Sequence, residues 1–153
     1  MTPEALRRLL VEVAEGAVGP DDALSRLRNF PVEELPFASL DHARPLVQGH
    51  QEVVLCEGKT PEQCEGICAA LVAETGTFLA TRADAGTRER LTRRFPSAEA
   101  SELGRTVYLA PRPEPPPTGR GTILIVTAGT SDLAVAEEAA VVARALGNRV
   151  ARL

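Results

Sequence analysis

The sequence has few aromatic residues, 3% with no Trp, and it contains one Lys, one Tyr and one Met. A core without large rings must be built from Leu, Val and Ala, which the 44% hydrophobic content supplies. Histidine is limited to His42 and His50, and cysteine to Cys56, Cys64 and Cys68. An odd thiol count, in a chain whose start MTPEALRRLLVEVAEG lacks the continuous apolar stretch of a signal peptide, predicts reduced cysteines and a cytoplasmic location. No apolar run approaches the ~20 residues that span a bilayer, so no membrane partner is expected. Nor is there a basic stripe. The net charge is -4, and the 17 basic residues, all Arg except Lys59, are scattered. Nucleic acid is therefore not expected as a partner.

What is present reads as an α/β chain. Thr2 and Pro3 mark a helix start, with Leu6, Leu9, Leu10 and Val13 on one face and Gly16 as the stop. DDALSRLRNF comes after the Gly19-Pro20 break as a second short helix, forming a helical lead-in with the first. From Pro31 to Gln51 the pattern is irregular, and Pro31, Pro36 and Pro45 argue against long elements. EVVLC then reads as a strand, TPEQCEGICAALVAETG as a helix, TFLATR as a strand, TRERLTRRF as a helix and TVYLA as a strand. The long helix has a complete start: Thr60 as cap, Pro61 in the first turn and Gln63 closing a capping box, with Gly76 as the stop. The alternation favours a small parallel α/β unit over residues 1–110.

PRPEPPPTGRG, residues 111–121, reads as a semi-rigid spacer between two domains, with a proline-rich ligand for a partner domain as the competing reading. Beyond it, TILIVTAG is continuously apolar, as strands covered on both faces are. A nearly apolar helix runs from Leu133 to Leu146, and NRVARL begins a further strand. Residues 122–153 are thus expected to be the incomplete start of a second, parallel-sheet domain.

Three places could carry chemistry. The loop AGTSD stands where open α/β sheets place ligands, after the carboxyl end of a strand and before a helix. There Gly129 admits close backbone approach, Thr130 and Ser131 offer hydroxyls, and free helical amides favour an anion. Asp132 would cap the helix, accept from a ribose hydroxyl or hold a cation; an ordinary capped turn competes with all of these. GKT, Gly58 to Thr60, matches the end of a P-loop, but Val53 stands where the first glycine is required, which excludes that motif. Lys59 at a capped helix start remains either an anion site or a solvated side chain. Cys64 and Cys68 lie one helical turn apart. A metal site would need a fourth ligand, and both histidines lie upstream, so core thiols are the favoured reading.

LDHARPLVQGHQEVVLCEGKTPEQ, the strand end LATR, and VTAGTSDLAVAEEAA together resemble the LarB family of nickel-pincer cofactor biosynthesis, whose C-terminal domain is similar to the carboxylase PurE. The family pattern DxxRxxRxGxPEVV followed by GKT is met at Asp41, Arg44, Gly49, Glu52, Val53, Val54, Gly58, Lys59 and Thr60. Val47 replaces the second Arg, which removes a planar donor fork, and Gln51 replaces the Pro.

The resemblance implies that residues 122–153 start a PurE-like (flavodoxin-like) parallel sheet domain. It further implies carboxylation of the pyridinium ring of nicotinic acid adenine dinucleotide at C5 by CO2, with phosphoanhydride hydrolysis releasing AMP. A thiolate must first add to the electron-poor ring to make it nucleophilic, and Mg2+ is implied for anhydride cleavage. Gly129, Thr130 and Ser131 would meet phosphate and Asp132 ribose or metal; Arg44, Lys59, Thr60 and Arg82 are weaker substrate-binding candidates. The family's nucleophilic cysteine is expected beyond residue 153, so this chain alone is expected to be inactive, and the full-length protein a homo-oligomer. The contrasting readings are a non-catalytic interaction module with an incomplete βα arm, and a phosphate-binding regulator.

Overall fold

In the computed structural model, which describes residues 3–27, 30–44, 48–50 and 52–153, the chain divides into two units, 1–52 and 53–153. The first begins with the expected helical lead-in. Helix α1 (Pro3–Ala14) and helix α2 (Pro20–Arg26) are joined by an ion pair from Arg26 to Glu12 at 3.0 Å, with Leu9 and Val18 buried. Thr2, the expected cap of α1, lies outside the described residues. Strands β1 (Val32–Leu35) and β2 (Ala38–Asp41) then pair antiparallel, Leu35 opposite Ala38. This hairpin falls in the segment read as irregular. Its two turn residues, Pro36 and Phe37, lack the Asn-Gly or Gly-X signature that marks a tight hairpin in sequence. Three residues noted in the sequence, Pro45, Val47 and Gln51, lie outside the described residues.

The second unit opens with strand β3 (Val53–Leu55) and helix α3 (Pro61–Thr75). The capping box forms as the sequence predicts: the Gln63 amide donates to the Thr60 hydroxyl, and the Gln63 side chain accepts from the Thr60 amide. Gly76 closes the helix in the left-handed region. Strand β4 (Phe78–Thr81), helix α4 (Ala85–Arg94), strand β5 (Glu99–Ser101) and strand β6 (Thr106–Leu109) come next. Asp84 caps α4 by accepting from the Thr87 amide at 2.7 Å.

The strand order is β3-β4-β6-β5, and only β3 and β4 are parallel; β6 runs antiparallel to both of its neighbours. The parallel unit expected from the alternation is therefore a mixed sheet. The chain between α4 and β6 contains β5, a three-residue edge strand too short to show a period, and the β5–β6 hairpin reverses the direction.

Strand β4 is buried along its whole length, because successive side chains point to opposite faces and both faces are covered. Phe78 meets Phe95 with ring centroids 5.2 Å apart, while Leu79 packs with Tyr108 and Val141. Val141 belongs to helix α5 (Leu133–Ala145), which lies between strand β7 (Thr122–Ile125) and strand β8 (Arg149–Arg152) in the chain. The proline-rich segment thus lies inside the second unit, and the helix after it covers one face of the mixed sheet.

β7 and β8 pair in parallel, as the sequence predicts for a βαβ step. The two-sided burial expected of β7 is not found. Ile123 is 41% and Leu124 57% exposed in this two-stranded sheet.

Gly104, in the β5–β6 turn, sits against α5 so closely that a Cβ there would lie 2.8 Å from Glu137 Cγ and 3.0 Å from the Glu138 amide nitrogen. At Gly129 a Cβ would meet only Ser131 Oγ, at 3.7 Å, and the backbone is extended. Gly104→Ala is therefore expected to destabilise the protein by about 1–3 kcal/mol. Gly129→Ala should change stability by less than about 0.5 kcal/mol. Urea unfolding of the two variants checks the contrast.

Candidate functional site

The structure gathers the sequence-derived candidates into three places. Gly129, Thr130, Ser131 and Asp132 form an exposed turn beyond the carboxyl end of β7 that runs directly into α5. Thr130–Asp132 is a 3-10 turn, in which the Asp132 amide donates to the Gly129 carbonyl at 3.2 Å. Neither Gly129 nor Asp132 supplies a side-chain cap to the helical turn it precedes. The Ser131 hydroxyl lies 3.4 Å from Asp132 Oδ1. The ordinary capped turn is thus not what forms: two hydroxyls, one carboxylate and the amide end of a helix face solvent together. The positive end of the α5 dipole lies behind them.

Beside this turn is a cavity of about 240 Å3, lined among others by Thr127, Leu133, Ala136 and Leu103. The ion pair of Glu137 with Arg152 also faces it.

Lys59, Thr60 and Arg82 come together at the carboxyl ends of the parallel pair β3–β4. Lys59 Nζ donates to the Leu55 carbonyl at 2.8 Å, and Thr60 is committed to its capping box. Arg82 has φ 53, in the left-handed region, which costs a non-glycine residue about 1–2 kcal/mol. Its guanidinium Nε lies 3.3 Å from both carboxylate oxygens of Glu138 on α5, and Nη1 lies 3.7 Å from Glu57. Arg105, also in the left-handed region at φ 52, donates to the Arg82 carbonyl at 3.3 Å. Its own carbonyl accepts from the Ala83 amide at 2.8 Å. Sequence reasoning missed Glu57, Glu138 and Arg105 here. Their contacts with Arg82 are tertiary and leave no periodic or motif signal.

Arg44 belongs to the first unit. There the family-like pattern is itself a connected network: the Asp41 amide donates to Glu52 Oε2 at 3.1 Å, and Arg44 Nε lies 3.9 Å from Asp41 Oδ2. Arg44 Nε is buried and has no hydrogen-bond acceptor among the described residues. Gly49, the pattern's glycine, has φ 75, a conformation that glycine adopts without strain. The nearby His42, 4% exposed, pairs with Glu33 at 2.9 Å.

The three cysteines are buried, and burial pushes each thiol upward, Cys56 to about 12 and Cys68 further. Thiols so desolvated are core residues and poor nucleophiles. Among the described residues no group of three or more His, Cys, Asp or Glu is placed to hold a metal ion, and no helix is long and apolar enough to cross a membrane.

A parallel strand pair joined by a helix, with an exposed hydroxyl- and carboxylate-bearing turn at its carboxyl end, is the ligand-binding unit of open α/β sheets. The family model described as the LarB/PurE-like N-terminal domain matches residues 32–112, and the chain belongs to that family. Membership associates it with nickel-pincer cofactor biosynthesis or PurE-like chemistry. No curated protein matches the chain.

If the cysteines are core residues, an aromatic disulfide reagent at pH 8 should leave all three unmodified in the native protein over minutes and titrate all three in denaturant. One fast-reacting native thiol would contradict their assignment. Stability should report the same burial, because thiols raised above their unfolded value stabilise the fold below the ordinary thiol range and lose that contribution as pH rises towards 12. Thermal stability should therefore fall between about pH 9 and 11.

Proposed function

We propose that this chain supplies the phosphate-binding part of an enzyme that carboxylates the pyridinium ring of nicotinic acid adenine dinucleotide and releases AMP, a step in making a nickel-pincer cofactor. The observation that carries this reading is the uncapped turn Gly129–Asp132, exposed at the start of α5 in a chain of the LarB/PurE-like family. Phosphate suits such a turn, since helix amides and hydroxyls donate to its oxygens and the helix dipole favours its charge. Gly129, Thr130 and Ser131 serve phosphate, and Asp132 accepts from a ribose hydroxyl. Lys59, Thr60, Arg82 and Arg44 are secondary to this turn, because the first three are already engaged by protein groups and Arg44 lies in the other unit.

Mg2+ is tied to the chemistry by anhydride cleavage, where it would neutralise charge on the phosphates. Asp132 is the turn's single carboxylate, and with no metal-holding cluster among the described residues the chain does not fit a resident ion. The ring-attacking thiolate is likewise not among Cys56, Cys64 and Cys68, whose burial keeps them protonated. The 153-residue chain is therefore expected to bind but not turn over.

Two measurements test this. Calorimetry should show nicotinic acid adenine dinucleotide binding to the chain, weakened about tenfold by Ser131→Ala, the loss of one charge-assisted hydrogen bond. With bicarbonate and Mg2+ present, AMP should be released when the chain is joined to a PurE-like domain that carries a reactive cysteine, and not by this chain alone. Release by neither would overturn the enzymatic reading and leave the interaction module in its place.

A further inference from the structure

Helix α5 is held at one turn, residues Glu137 and Glu138, from three directions. Arg82, at the end of β4, sets its guanidinium on the Glu138 carboxylate, 3.3 Å from both oxygens. The β5–β6 turn presses Gly104 against the helix backbone at the same two residues, and Ser101 Oγ donates to Glu137 at 3.3 Å. Arg152 of β8 pairs with Glu137. By contrast, the turn Gly129–Asp132 has no side-chain cap of its own. Its position depends on where the helix behind it is fixed, and Glu138 stands six residues along, about 9 Å on the helix axis from Asp132.

Arg82 is the informative member of this set. A left-handed residue at a strand end is best served by glycine, and the arginine there keeps a strained backbone. Arg105 braces that backbone at the Arg82 carbonyl. The side chain reaches two carboxylates on separate elements, Glu138 of α5 and Glu57 of the β3–α3 loop. What the strain preserves is therefore the guanidinium, whose Nε bonds to Glu138 of α5 while Nη1 faces Glu57.

We propose that Arg82 is a positioning residue: the end of β4, inside the family-matched segment, sets the register of α5 through Glu138 and so places the turn Gly129–Asp132 for its ligand. The ligand part rests on the proposed phosphate function of that turn; the mechanical part does not. It gives the residues matched by the family a task with respect to a loop that lies outside the match.

Amide hydrogen exchange on the full chain tests it, with Arg82→Gly, Arg82→Lys and Glu138→Gln. Arg82→Gly keeps the left-handed turn without strain, so its thermal stability should equal or exceed that of the parent. The amides of Asp132 and Leu133, which bond to the Gly129 and Thr130 carbonyls, should nevertheless exchange at least about fivefold faster, with α3 and α4 unchanged. Arg82→Lys should recover part of the protection and Glu138→Gln should match Arg82→Gly. With the chain joined to a PurE-like domain that carries a reactive cysteine, Arg82→Gly should raise KM for nicotinic acid adenine dinucleotide about tenfold with kcat within about twofold. Parent-like exchange at Asp132 and Leu133 in Arg82→Gly, or faster exchange spread evenly over α3, α4 and α5, would overturn the proposal. Absence of turnover in the parent would overturn the functional reading instead, and the exchange result would still decide this one.

Discussion

The second unit depends on the contact of α5 with the face of the mixed sheet that carries Leu79 and Tyr108. Without Val141 and its partly buried neighbours Val142 and Ala145, those two side chains and Val53 would face water. Burial of apolar side chains is worth roughly 1.5–3 kcal/mol each, so leaving that face open would consume much of a small domain's stability. Because β4 is buried on both faces, the sheet has two dependent cores: one with Phe78, Phe95 and Leu91 under α3 and α4, and one under α5. The polar ties at Glu137 and Glu138 fix α5 along its axis, which the apolar contact alone does not.

Much of the local structure could be read from the sequence because its causes are local. Helix α3 carries its own cap, first-turn proline and terminating glycine within the residues that form it. The AGTSD turn could likewise be placed after a strand and before a helix, and it lies there. The β1–β2 hairpin was not legible, because four-residue strands around Pro36-Phe37 show neither a period nor a turn signature. Sheet direction was not legible either: the alternation of strands and helices says nothing of the short edge strand β5, and that strand turns a parallel expectation into a mixed sheet. A proline-rich segment looks like a spacer whether or not the chain beyond it folds back, and here α5 does fold back. The environment of Arg82 required contacts across 56 residues of sequence, which no local pattern encodes.

These features bear on function together. Family membership covers residues 32–112, while the turn proposed to receive phosphate lies after them, at the start of the helix that Arg82 of the matched segment contacts through Glu138. The positive groups at Lys59 and Arg82 are spent on backbone and carboxylate partners. The turn's hydroxyls are exposed, and that of Ser131 meets only the adjacent Asp132 among the described residues. The three buried cysteines offer no reactive thiol, so in the proposed function this chain's part is to hold the substrate's phosphate and not to attack its ring.

In the proposed function, the turn Gly129–Asp132, and no other strand end, receives the phosphate. An amide-resolved NMR titration of the chain with inorganic pyrophosphate tests this most directly, since pyrophosphate carries the charge and oxygens without the rest of a substrate. The largest saturable shifts should fall on the amides of residues 129–134. Shifts centred on Lys59–Gln63 at the start of α3, or none that saturate, would contradict it.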